Sequence, residues 1–565
     1  MFKPLNNQTN PTLFGGIGQQ LSTTKNKMLD DKGAWFNLFR SFITFSIDES
    51  PFAVLFDEKN GRPNAPIRIL AAMMILKEGF GWSDEELFEQ CRFNVLVMRA
   101  LGFSNFSDDA PVESTYYLFK KSLYEYQVIN GVDLIGEMFE KLTKKQAELF
   151  KVNSRWIRMD SKLIGSNIAN CSRLQLIISC LQQFYKSLND NDIEKLKEND
   201  KQFFEDLTRQ TAGQIVYKLN NKEKEKYLEQ IGWLLYRIQK QFDYKNNNLY
   251  NMITRLFTEQ YSKDADKITL KLPGDVKSDS IQSPHDSEAA YRNKGGKKVK
   301  GYSANITETC NDKGLNLIVD VKLDKATKAD KDFTKEAVKK VEHNIGRVEE
   351  ISADGAYNSK DNRQYCDKNN KQLHLTGIQG SKGKYKFERK GKKVKITNTK
   401  TSKSQIVSPY KKGKYKFKGQ DGKITYFTDK QIDSYFQRKK IDELPPPIRN
   451  RRNNIEATIF QLCYFTRKDK TRYRGHYKTQ AWATCRSIWI NLVRIENYIG
   501  KLYPDGIGIA GISQKAVGYF LFLLKKMLML RNYIENLLEI PGFKNECQIN
   551  HIFYANSTIY KRFNK

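Results

Sequence analysis

Paired cysteines, histidine and acid are what this 565-residue chain has least of. Its eight cysteines (91, 171, 180, 310, 366, 463, 485 and 547) never form a C-x-x-C pair, and its five histidines are just as scattered. That spacing argues against a structural zinc site and, in a reducing compartment, against disulfides; buried free thiols are expected. No run of 18 apolar residues occurs, and the greasiest stretch, 519–524, is stopped by Lys525 and Lys526, so no transmembrane helix is expected. The first 20 residues carry one lysine and no continuous apolar core, which does not make a secretory signal; a cytoplasmic protein is expected. Acid is short relative to base: 64 Asp and Glu stand against 96 Lys and Arg, a formal net charge of +32. Such an excess is the footprint of a polyanion-binding protein, nucleic acid before membrane surface. With 39% apolar residues the chain is globular, and its length suffices for two to four domains.

The apolar periodicity divides the chain. Residues 1–150 read as an all-α domain: 66–78 has helical spacing behind Pro66, Gly79 and Gly81 break it, and Ser83 with Glu86 forms a capping box. A polar, proline-containing turn and a helix start over 108–123 fit either a helix-turn-helix reader or an ordinary packed hairpin. Period-two alternation over 152–160 predicts a strand ending at Asp160. A helical insertion is expected over 172–261, and an antiparallel hairpin over 301–308 and 315–322. A helix over 332–345 and strands over 348–354 and 371–376 complete a mixed α/β layout. Residues 381–440 hold 20 Lys and Arg against 4 Asp and Glu, and repeat Lys-Gly-Lys-Tyr-Lys-Phe at 382–387 and 412–417. Two basic β-hairpins are expected there, with Lys384 and Lys414 among the phosphate contacts; a solvated lysine loop is the rival reading. After the prolines at 445–447 the chain reads as helical to 498, and again over 513–538.

Scarce acid makes its placement informative. Three acidic islands stand out: Asp160 and Asp354 at strand ends, and Glu456 on a helix one turn after Arg452. Hard Mg²⁺ takes oxygen ligands, and two such ions activate one oxygen and stabilise another in phosphodiester transfer. Asp160, Asp354 and Glu456 are therefore the candidate catalytic and metal-binding carboxylates, for two Mg²⁺ with Mn²⁺ as a substitute. Taken singly, a strand-terminal Asp is equally a turn cap and Arg-x-x-x-Glu an exposed ion pair of about 0.3–0.5 kcal/mol. Candidate DNA contacts are Arg449, Arg452, Arg472, Arg474, His476 and Lys478, with Lys297 and Lys298 beside Gly295-Gly296. The adjacent His285 and Asp286 have no role readable from sequence.

Several of these stretches together carry a resemblance: Met159-Asp160-Ser161, the segment 281–291, Gly301-Tyr302 with Thr307-Glu308-Thr309, Ala353-Asp354-Gly355-Ala356-Tyr357, Arg452 with Ile455-Glu456, and the segments 472–479 and 490–494. The set resembles DDE transposases of bacterial insertion sequences, in particular the eleven-eighty-two group. The resemblance implies an RNase H-like mixed sheet carrying Asp160, Asp354 and Glu456, divided as 151–171 and 262–380 with helices 441–565 completing it. The same likeness implies an N-terminal domain that binds element ends, a homodimer acting on double-stranded DNA, and a nucleoid-associated location. Relatives often have tyrosine three before the arginine and lysine seven after the glutamate; here Arg449 and Cys463 stand there. A catalytically silent DNA-binding protein and an RNase H-like nuclease are the alternative functions.

Overall fold

A computed structural model describes residues 1–5, 16–57, 62–242, 248–264, 267–312, 314–378, 383–411 and 413–503. The helix expected at 513–538, the apolar stretch 519–524, Cys547, and Lys382 and Lys412 of the repeat lie outside the described residues. Two compact units form: the chain to Lys151 with the part from Ile488 on, and Val152–Ser487. Among the described residues no helix is long and apolar enough to cross a membrane.

The first unit is helical. Its helix Ile67–Phe80 is buried on every side as far as Gly79, which is where a segment apolar around its whole circumference belongs. Two of its charged members are paired, Arg68 with buried Glu49 at 3.2 Å and Lys77 with part-exposed Asp84. Gly81 ends the helix in the left-handed region (φ 76°), and the Ser83–Glu86 capping box opens the next, with both reciprocal bonds made. The helix Glu113–Asn130 follows the helix Val95–Leu101 across the loop 102–112. A helix-turn-helix joins its helices in about 3–4 residues, so this stretch does not have that geometry.

The second unit is built on a mixed sheet. Strand β1 (Trp156–Gly165) is followed by helices from Arg173–Ser187 to Asn248–Gln260, packed on a core that includes Ile177, Leu181, Leu234 and Ile238 and closed by strands β2 (Tyr261–Asp264) and β3 (Lys267–Leu270). Strand β4 (Ala290–Lys294) turns through Gly295 and Gly296, both at positive φ, into the long β5 (Lys297–Thr309). Then come β6 (Ile318–Lys325), β7 (Glu350–Ala353) and β8 (Gln372–Leu375). One edge of β5 pairs with β4 and then β6; the other pairs with β1, all antiparallel. Beyond β1, strands β7 and β8 run parallel to it, reached through the helices Thr334–Asn344 and Lys360–Lys368 that parallel connections require. The strand expected to stop at Asp160 runs on to Gly165 because β5 keeps pairing with it down to Gly301.

The described residues of the basic insert form two sheets. Strands β9 (Tyr385–Lys390), β10 (Lys393–Asn398) and β11 (Ser404–Val407) form one antiparallel sheet; β12 (Pro409–Lys411), β13 (Lys414–Lys418) and β14 (Ile424–Thr428) form a second. Each expected hairpin thus gains a third strand. The helix Asp429–Asp442 adds Ile432 to the core the sheets share, where Phe387, Ile396, Phe417 and Phe427 are buried. After the prolines, a short helix Pro446–Asn450 and a 3₁₀ turn Arg451–Asn453 lead into the helix Asn454–Cys463. The continuous helix expected to 498 is broken at 464–475, where Lys470 bridges to Gly165 and Gly475 takes φ 87°, before the helix His476–Leu502 begins.

Candidate active site

The parallel pairing of β1 and β7 sets the site. Partners run Trp156 with Glu350, Ile157 with Ile351, Arg158 with Ser352 and Met159 with Ala353, so the next residues, Asp160 and Asp354, come off neighbouring strands in step. Side chains in step on parallel neighbours point to the same face, about 4.8 Å apart at the backbone. Asp160 continues along β1, whereas Asp354 leaves β7 and caps the turn Gly355–Tyr357, its carboxylate accepting from the Gly355 amide. Gly355 is needed for close approach: a Cβ there would lie 2.1 Å from the carbonyl oxygen of Gly377.

Arg452 draws the third carboxylate in. Its guanidinium donates to Asp160 Oδ2 at 2.6 Å and to Glu456 Oε1 at 3.1 Å, while its Nε is buried without a partner. Arg452 lies in the 3₁₀ turn and not one turn earlier in the Glu456 helix, yet the four-residue spacing still brings the two together. Burial raises the Asp160 carboxyl above its usual range and nearby Asp354 adds to the rise, although Arg452 and the Ser161 amide oppose it. Burial alone would lower the Arg452 guanidinium, but Asp160, Asp354 and Glu456 hold it above its usual value. A cleft of about 470 Å³ opens here, lined by Asp160, Lys162, Glu456, Phe460, Cys463 and Asp469 among others. Cys463, standing where relatives of the resembled family carry lysine, is a thiol pushed up to about 11 chiefly by burial.

A buried ionic network supports these residues. Glu308, fully buried on β5, takes Arg158 on one carboxylate oxygen and the Thr458 hydroxyl on the other at 2.7 Å. Arg158 also donates to the Arg451 carbonyl at 3.1 Å, and the Arg451 guanidinium lies 3.5 Å from the Trp156 ring centroid. Asp160, Arg452 and Glu456 are each within two residues of a member of this network. Tyr357 is buried beside the aspartates, its hydroxyl donating to Asn305 Oδ1 at 2.7 Å and kept protonated by burial and by Asp160. Sequence reasoning assigned no role to Glu308, Thr458 or Tyr357. The available signal was a glutamate inside the buried strand 301–309, which demands a partner cation.

The remaining candidates are dispersed. Arg449 is exposed on its short helix. Arg472 is exposed over the Tyr473 ring, and Arg474 donates to the Asn167 carbonyl at 2.7 Å. His476 is half-buried, its ring bonded to the Leu323 carbonyl at 3.0 Å and its amide to Glu288 at 2.9 Å. Lys478 and Lys298 are exposed, whereas Lys297 pairs with Asp469. Lys384 and Lys414 project from the basic insert. Asp286 now has a structural role: buried, it accepts from the Ser166 and Tyr302 hydroxyls and from the Gly475 and Ala289 amides, tying the 472–478 segment to the sheet. His285 bonds to Gln183 at 2.8 Å.

The donor set is suited to a hard cation in its chemistry, being two carboxylates from neighbouring strands and one from a helix. Among the described residues, however, no three His, Cys, Asp or Glu side chains stand close enough together to hold a metal ion. The Arg452 guanidinium lies between Asp160 and Glu456 and supplies the positive charge. The Glu456 side chain is 64% exposed.

Residues 24–122 match the family described as "Transposase domain (DUF772)", under a fifth of the chain and upstream of the carboxylates. No curated protein matches the chain. A cryo-EM structure of the piggyBac transposase synaptic complex with hairpin DNA aligns at 10% identity over 90% of this chain and 82% of that one, with a TM-score of 0.28, a likeness too low to define the fold.

Proposed function

We propose that this protein is a DNA transposase of the DDE type that cuts DNA at the ends of an insertion sequence and joins the freed strand to target DNA. The observation that carries the reading is the step-for-step emergence of Asp160 and Asp354 from parallel β1 and β7, with Glu456 drawn to the same place through Arg452. The transposase-domain match over 24–122 and the net charge of +32 support it independently. The order of the mixed sheet, antiparallel on one side of β1 and parallel on the other, supports an RNase H-like reading of the core.

Asp160, Asp354 and Glu456 would hold Mg²⁺ or Mn²⁺. A bound pair of such ions supplies Lewis-acid stabilisation of the phosphoryl charge and activation of the attacking oxygen. The chain's own contribution begins with Arg452. Held between two carboxylates, its guanidinium opposes the rise that burial gives the Asp160 carboxyl, and when Glu456 turns away it can donate to a phosphate oxygen. At the cleft, exposed Lys468 and half-buried Lys162, the latter paired with Asp469 at 3.3 Å, place further lysines beside a strand lying across it. Two element ends must be brought together for joining, so the active species is at least a homodimer.

The test is incubation of the protein and Mg²⁺ with DNA flanking its own gene. Nicks at defined ends, followed by joined products, are expected; no cleavage, or preferential cutting of RNA/DNA hybrids, refutes the assignment.

Arg452 makes a separate prediction. Without the guanidinium, only the Ser161 amide opposes the rise that burial and Asp354 give the Asp160 carboxyl. Asp160 is active as the carboxylate, so the acid limb of the pH–rate profile in Arg452→Ala should move to higher pH. An unmoved limb would show that Arg452 does not govern this ionisation.

A further inference from the structure

The two copies of the Lys-Gly-Lys-Tyr-Lys-Phe repeat fold alike but present different outer faces. In the first, Phe387, Val394 and Ile396 face the core. The outer face pairs Lys386 with Thr397 and Glu388 with Lys395, the latter an ion pair at 3.7 Å, and carries no exposed aromatic ring among the described residues. In the second, Tyr415, Phe417 and Phe427 face the core, leaving Lys414, Lys416 and Lys418 in a row on the outside. Their partners across β14 are Thr428, Tyr426 and Ile424. Tyr426 is 51% exposed and Tyr410 on β12 is 57% exposed; their ring centroids are 6.4 Å apart, and Lys416 Nζ lies 5.6 Å from the Tyr410 centroid. Among the described residues no carboxylate forms an ion pair with any of these three lysines, whereas Asp433 takes Arg389 of the first copy.

We infer that the outer face of β12, β13 and β14 is a binding site for single-stranded DNA, with Tyr410 and Tyr426 as stacking platforms and Lys414, Lys416 and Lys418 as phosphate contacts. Charge selects the class of partner: the 381–440 segment carries an excess of 16 positive charges. The rings select the strandedness. Bases in a duplex are already stacked on one another and offer no open face to a tyrosine, whereas an unpaired strand presents every base to aromatic side chains. The face rests on the proposed transposase activity only for the origin of the unpaired strand, which nicking at an element end would release. Its geometry is independent of Asp160, Asp354 and Glu456.

The experiment uses the full chain carrying Asp354→Asn, so that no DNA is cut, and measures anisotropy of a labelled oligothymidine, the same length of RNA, and a duplex. Y410A with Y426A should weaken oligothymidine binding by at least about twentyfold and duplex binding by less than about twofold, since each lost stack costs severalfold or more. Y410F with Y426F, which keeps both rings, should bind as the parent does. Lys416→Ala should reduce the salt dependence for oligothymidine by about 0.7 per decade, one phosphate contact. K386A with K395A on the first copy should leave single-strand binding unchanged. Equal losses on duplex and single strand, tighter binding of RNA than DNA, or no loss in the double alanine variant would overturn the assignment. Strand cleavage by the parent protein is read separately, so a protein that binds through this face but never cuts would sink the transposase reading alone.

Discussion

Asp354→Asn should abolish strand cleavage, by at least about a thousandfold, while duplex binding stays within about twofold. Asparagine has the shape of aspartate and keeps a carbonyl oxygen that can accept from the Gly355 amide, so the cap on the Gly355–Tyr357 turn survives and the substitution removes charge alone. The lost charge matters because a metal-stabilised transition state draws several kcal/mol from its ions, and about 4 kcal/mol already corresponds to a thousandfold in rate. Binding should persist because the basic surfaces are elsewhere. Single-turnover cleavage beside a gel-shift titration reads both quantities. Cleavage within tenfold of the parent would remove Asp354 from the catalytic set, and with it the paired-aspartate argument.

Glu308→Ala is expected to cost about 3–5 kcal/mol of stability in the second unit, the penalty for leaving one member of a buried ion pair uncompensated. Glu308 is fully buried and holds both Arg158 and the Thr458 hydroxyl. Without it, Arg158 keeps its charge in the interior with the Arg451 carbonyl and the Cys310 sulfur as acceptors. Replacing both partners by apolar residues, Arg158→Met with Glu308→Leu, removes the buried charge and should recover most of the loss. Urea unfolding measures the three proteins side by side. A loss under 1 kcal/mol in the single variant, or a double variant as unstable as the single, would mean the pair is not what joins the Glu456 helix to the sheet.

Much of the site was legible in sequence because strand and helix periods are local. Alternation at Trp156, Arg158 and Asp160 marked a strand, and the four-residue spacing of Arg452 and Glu456 placed them together even though Arg452 lies in a 3₁₀ turn and not in the helix. Other features depend on partners distant in sequence. Nothing local shows that β1 continues to Gly165, because that follows from where β5 pairs. What requires glycine at 355 is the carbonyl of Gly377 pressed against its α-carbon, a contact no local pattern shows. Asp286 beside His285 had no role readable from sequence; it accepts four hydrogen bonds that hold the 472–478 segment, a purpose visible once Ser166, Ala289, Tyr302 and Gly475 are brought around it.

By itself the chain's sequence determined the polyanion-directed charge, the helical first 150 residues, the alternation of strands and helices after them, and the presence of three carboxylates on suitable elements. These follow from composition and from periodicities that span a few residues. The tertiary structure alone decided the register that sets Asp160 beside Asp354, the guanidinium lodged between Asp160 and Glu456, the buried Arg158–Glu308 pair, and which of the two basic sheets carries exposed tyrosines on its outer face. Those depend on pairings between segments up to 300 residues apart, and a one-residue slip in any of them would turn the same side chains to the opposite face.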